Sequence, residues 1–132
     1  MKILQPLNWP QPKGYSNGIS AKGTMVFVAG MVGWNENEKF ETNDFSGQAR
    51  QALKNIVTVL NEAGAKPEHI TRMTWYLVDM DEYSSSLQNL GKIYQEEIGK
   101  VFPAMTGIHV AGLVEKEAKL EIEVTAIIPD QQ

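Results

Sequence analysis

Apolar residues recur at three- and four-residue intervals through Phe45, Ala49, Ala52, Leu53, Ile56, Val57, Leu60 and Ala63, which predicts an amphipathic helix. Asn43-Asp44 places capping oxygens ahead of it and Gly64 supplies a stop. A second stripe, Tyr83, Leu87, Leu90, Tyr94 and Ile98, predicts another helix running from about Asp79–Asp81 to Gly99. Between the helices, Lys66-Pro67-Glu68-His69 reads as a turn, and Ile70–Val78 is rich in β-branched and aromatic residues, as a strand is. Two more strands are expected at Met105–Val110 and Lys119–Ile128, separated by a charged loop through Glu115-Lys116-Glu117. Ahead of the first helix, Ile19, Ala21 and Thr24 to Ala29 bracket Lys22-Gly23 and predict a hairpin. Residues 1 to 14, with Pro6, Pro10, Pro12 and Gly14, read as an irregular arm.

The expected order is therefore β-β-α-β-α-β-β: one α+β domain over residues 1–132, a sheet with two helices packed on one face. Several strands are apolar on both faces. Trp75 and Leu77 alternate with Tyr76 and Val78, and Ile127 interrupts the row Glu121, Glu123, Thr125, so the uncovered face is expected to meet another subunit.

Charge narrows the functional classes. Lys and Arg number 12 against 16 Asp and Glu, a formal charge of −4, which disfavours a nucleic-acid partner because neutralising phosphates needs a basic face. Without cysteine there is no disulfide, thiolate nucleophile or Cys-ligated metal. Prolines 6 and 10 interrupt any signal-peptide run, and no apolar stretch approaches the roughly 20 residues of a membrane span. A cytoplasmic protein without a membrane partner is expected. No metal-spaced or Ser-His-Asp constellation occurs, and Gly14 to Gly18 neither follows a strand nor opens a helix, so no cofactor is expected. Strand alternation puts Met105, Gly107 and His109 on one face, and Glu121 and Glu123 together on another, about 7 Å apart. The glutamate pair suits either a solvated or interface face or a paired-carboxylate site. His69, in its turn, has no functional setting, and Trp34 suits a loop anchor as well as a pocket lid.

Pro103-Ala104-Met105-Thr106-Gly107-Ile108, continued through Leu120-Glu121-Ile122-Glu123, resembles the RidA (YjgF-like) family of reactive-intermediate deaminases, once labelled L-PSP endoribonucleases. Gly14-Tyr15-Ser16-Asn17-Gly18, Val26-Phe27-Val28-Ala29-Gly30 and Gln48–Ile56 match its other landmarks over nearly the whole chain. The resemblance implies the YjgF-like, chorismate-mutase-like fold, a homotrimer with a central barrel, and small-molecule clefts between subunits. In deaminating members an arginine after the Pro-Ala pair clamps the ligand's carboxylate; here Met105 stands there, as in a subgroup lacking that arginine. A thioether offers neither charge nor donor, a loss of about 2–5 kcal/mol in binding a carboxylate. The resemblance assigns Glu121 to water activation and Tyr15 to the cleft wall. It further puts Gly30-Met31 where a glycine–glutamine pair is usual, and Gly107 where a cysteine or small residue stands. His109, on the strand face of Met105 and Gly107, suits either an interface or surface position or the role of the missing polar handle. The pocket so relined is expected to be apolar and to have lost its preference for acids. Three readings follow: hydrolysis of a reactive enamine or imine to ketone and ammonia with altered substrate preference, non-catalytic binding of a metabolite, and, least favoured by the acidic balance, a ribonuclease or translation inhibitor.

Overall fold

A computed structural model describes residues 1–130. Six strands, β1 (Lys2–Leu4), β2 (Gly18–Ser20), β3 (Gly23–Met31), β4 (Ile70–Leu77), β5 (Ala104–His109) and β6 (Leu120–Pro129), accompany three helices, α1 (Phe45–Glu62), α2 (Met80–Ser85) and α3 (Leu87–Glu97). The first helix forms as its pattern predicts. The Asp44 carboxylate accepts from the Gly47 N–H at 2.9 Å, and Gly64 ends the helix at φ 72°, a backbone angle that suits glycine.

The main sheet has the order β3-β6-β4-β5 and is mixed: β6 runs antiparallel to both neighbours, whereas β4 and β5 are parallel. Register decides the faces. Val28 lies opposite Val124, Trp75 opposite Ile122 and Leu77 opposite Leu120, and all six are buried on the helix side. There they meet Ala49, Leu53, Ile56 and Leu60 of α1 in a continuous core. The helices cover one face, as the pattern requires, and the other keeps Met25, Phe27 and Ile108 exposed in isolation, Phe27 at 71%.

Three expectations are corrected. The predicted hairpin does not form: β2 pairs with β1, placing Ile19 against Ile3, while β3 crosses to β6. At Gly23 the chain passes so close to Ile128 that a Cβ would lie 1.9 Å from its carbonyl oxygen, a path open only to glycine. Residues 2–4 consequently leave the supposed irregular arm to become a strand. The single second helix is broken at Ser86, whose amide caps α2 by donating to Tyr83 O at 3.1 Å. Three successive serines, 84 to 86, hold the helix weakly because their hydroxyls compete for its backbone groups. The Asp79 side chain starts α2 by accepting from the Asp81 and Glu82 amides. Tyr83 is then fixed edge-on to Phe45, with ring centroids 6.4 Å apart. α3 packs along α1, where Arg50 and Lys54 reach Glu97 at 2.6 and 3.2 Å; the Glu97 bond holds the Arg50 guanidinium above its ordinary pKa.

One buried polar side chain ties the loops to this frame. Gln48 is fully buried; its amide donates to Thr42 O (3.1 Å) and Glu117 O (3.0 Å), and its carbonyl accepts from Lys119 N (2.9 Å). Two turns on, Asn55 donates to Val32 O and Trp34 O and so fastens the chain leaving β3 to α1.

Candidate functional site

Edge strand β5 and helices α2 and α3 leave a cavity of about 470 Å³ between them. Met105, Thr106 and Gly107 of β5 form one side, Trp75 of β4 lines it from the adjoining strand, and Tyr83, Leu87, Leu90 and Tyr94 line it from the helices. The Lys13–Tyr15 segment, Gly91, Gln95, Gly99, Lys100 and Phe102 complete the lining. The local contacts explain why it stays open. Ser16, buried, donates its hydroxyl to Phe102 O at 2.5 Å and its amide to Pro103 O at 3.0 Å, which pins Tyr15 beside the start of β5. Tyr94 donates to Val101 O at 2.6 Å, and burial keeps its phenol protonated by raising its pKa. Gly107 pairs with Trp75 across the ladder, and a Cβ there would meet only Leu77 Cδ1, at 4.0 Å, so its missing side chain leaves free space beside the indole. Trp75 is 7% exposed and its indole N–H is buried without an acceptor among the described residues.

The predicted site residues divide into three groups. Tyr15, Met105 and Gly107 meet in the cavity. Glu121 and Gly30 meet each other on the opposite, uncovered face, where a Cβ on Gly30 would lie 2.4 Å from Glu121 Oε2. Met31 and His109 join neither group. Met31 lies opposite Ile122 and packs on the core, whereas His109, exposed, sits beside Leu77 with Nε2 3.2 Å from Val78 O. Met105, Gly107 and His109 do share a face of β5, but only the first two reach the cavity.

On the uncovered face Tyr76 lies opposite Glu121 and donates its hydroxyl to Glu123 Oε1 at 2.7 Å. That bond, then burial, then the two glutamate charges raise the phenol's pKa, so Tyr76 remains a donor and Glu123 remains engaged. Glu121 has no side-chain hydrogen bond among the described residues and rests over Gly30, which leaves its carboxylate available to a water or ligand. No cluster of three His, Asp or Glu able to hold a metal occurs among the described residues, and none of their helices is long and apolar enough to cross a membrane.

Sequence reasoning did not find Trp75, Lys13 or Lys100. Trp75 alternates in phase with Met73 and Leu77 and so reads as core, which it also is; the two lysines lie 87 positions apart, and only the fold brings them to one cavity.

A mixed four-stranded sheet with helices on one face and a lateral cavity at its parallel edge defines a small α+β class of protein. The Endoribonuclease L-PSP family model matches residues 8–128, and the chain belongs to that family. A RutC family protein of Pyrococcus horikoshii is 32% identical over 95% of this chain and 96% of its own. The 2-iminobutanoate/2-iminopropanoate deaminase of Salmonella typhimurium is 29% identical over 96% of this chain and 97% of its own. Among solved structures, the Rid family protein YyfB of Yersinia pestis superposes with a TM-score of 0.84 at 30% identity, covering 96% of this chain and 98% of that one. Escherichia coli TdcF with bound serine gives 0.70 at 27%, covering 97% and 99%.

Proposed function

We infer that this chain hydrolyses a reactive imine or enamine to a ketone and ammonia, in clefts assembled between three copies. The observation that carries this reading is the separation just described. Tyr15, Met105 and Gly107 line a cavity on the helix side, and Glu121 stands on the bare side of the same sheet with no side-chain partner among the described residues. One chain cannot bring the carboxylate to its own cavity through the sheet; a second copy, reaching around the sheet's edge, supplies it. The deaminase relative supports the reaction class. Water adds to the imine carbon while Glu121 takes one proton and passes it to nitrogen; the second proton, on the new hydroxyl, follows through the same carboxylate as the C–N bond breaks, and ketone and ammonia leave. An enamine first takes a proton at carbon. Tyr15 orders the substrate.

Met105 favours a second reading, a trimeric binder that holds a metabolite without turnover, because the residue after Pro103-Ala104 gives no charged contact to the reacting acid. Decay of imines generated in situ by an amino-acid oxidase separates the two. The wild type should accelerate decay, and Glu121→Ala should reduce that acceleration on the order of 10²–10⁴-fold. Gly30→Ala should reduce it too, since its methyl displaces only the far end of the Glu121 side chain and leaves thermal stability nearly unchanged. No acceleration by the wild type would leave the binder. Assembly is checked separately: sedimentation should give three times the chain mass of 14.7 kDa, and a monomer would remove the shared cleft altogether.

A further inference from the structure

The cavity carries more information than the absent guanidinium. Its walls are Tyr15, Trp75, Tyr83, Leu90, Tyr94 and Met105, and at about 470 Å³ it is in the range of pockets that enclose a drug-sized molecule. A three- or four-carbon acid would leave most of that apolar surface uncovered. The charged side chains in the lining are Lys13 and Lys100, with no carboxylate among the described lining residues. Both lysines are exposed, whereas Trp75 and Leu90 are buried, so the charge lies at the rim and the aromatic surface at the floor. Neither lysine takes part in the ion pairs of Arg50, Lys54 and Lys119 with Glu82, Glu96 and Glu97. The buried Trp75 N–H, with no acceptor among the described residues, adds a donor at the floor.

We propose that the cavity binds an aromatic-bodied organic acid, its ring on the Trp75–Tyr94 floor and its carboxylate at the rim between Lys13 and Lys100. The proposal rests on the reading that this cavity is the ligand site, and it holds whether or not turnover follows. It also changes what Met105 means. The acid-binding charge lies at the edge of the pocket rather than beside Met105, which lengthens the ligand that fits. An ammonium is a point charge, so the rim selects for charge without imposing the planar, two-pronged geometry of an arginine.

Calorimetric titration with 3-phenylpropanoate, 3-phenylpropan-1-ol and propanoate tests it. The aromatic acid should bind about five- to tenfold more tightly than the alcohol, as expected of two exposed ion pairs, and the margin should shrink at high salt. Propanoate, which has the charge without the ring, should bind far more weakly than either. In Lys13→Gln/Lys100→Gln the acid should fall to the affinity of the alcohol while the alcohol is unchanged. Gly91→Leu locates the site: Gly91 lines the cavity from α3, a Cβ there meets nothing within 4 Å, and the leucine should fill the space and abolish binding of both ring compounds. Equal affinities for acid and alcohol, or an acid preference that survives the double substitution, would overturn the proposal and leave the cavity as a binding site. Binding that persists in folded Gly91→Leu would overturn both the proposal and the choice of cavity. If no probe binds, the proposal fails, and the imine-decay assay independently decides the enzyme reading.

Discussion

Gln48→Leu should cost on the order of 3–5 kcal/mol, read as a lower urea midpoint with an unchanged slope. The change nearly conserves volume, so no large cavity adds to it. What it removes is the one side chain among the described residues that satisfies three backbone groups at once: the carbonyls of Thr42 and Glu117 and the amide of Lys119. A leucine at this fully buried position leaves all three facing apolar surface, and each buried unpaired group costs about 1–3 kcal/mol, less where the loops can relax toward water. The same loops lie beside a second tight contact. A Cβ on Gly33 would stand 2.3 Å from the Gln48 carbonyl oxygen, so the chain after β3 and the first turn of α1 are already at closest approach and cannot slide to compensate. A loss below 1 kcal/mol would mean that the loops hold their positions without the amide.

That amide also shows where sequence reasoning stops. The α1 pattern, its Asp44 cap and its Gly64 stop were legible because they depend on neighbours within a few residues. Gln48 lies among those same residues and reads as a polar helix position, yet its partners Glu117 and Lys119 are about 70 positions away. Strand order was hidden for a similar reason. Nothing in β5 or β4 alone states that they pair in parallel, and the short β2 could have paired as plausibly with β3 as with β1. The resemblance carried by Pro103–Ile108 and Leu120–Glu123 pointed to the fold despite this.

The candidate site was half legible. Alternation put Met105 and Gly107 on one face, and the ladder agrees, with Met73 and Trp75 beside them. Alternation could not tell that His109 lies beyond the cavity's end, or that Met31, after the irregularity between Val28 and Met31, returns to the core. Nor could it say that Glu121 and Met105 occupy opposite sides of the sheet. Glu121 follows Leu120 and precedes Ile122, both buried under the helices, and so must face away; Met105 is in phase with Met73, itself buried there. A reaction that draws on both sides of one sheet needs another copy reaching around its edge, so on the proposed reading catalysis and assembly stand or fall together.

Met105→Arg should raise kcat/KM for small imino acids such as 2-iminopropanoate by roughly 10–10³-fold, the value of about 1.5–4 kcal/mol of charge-assisted binding. Position 105 is half-buried, with the bare backbone of Gly107 two residues on and Tyr15 lining the same cavity, so a guanidinium there has room. Two effects oppose it. The charge loses part of its hydration, and Lys13 and Lys100 already make the cavity positive, so the variant should be somewhat less stable than the wild type at low salt. Both penalties fall on the free protein and are relieved when an anion binds, which steepens the preference for acids. The gain should be confined to small substrates: an arginine in mid-pocket shortens the distance from charge to floor, and a phenyl group that fitted between Trp75 and the rim would no longer have its full depth. A folded, trimeric Met105→Arg that accelerates nothing would show that Glu121 and Tyr15 are not arranged for hydrolysis.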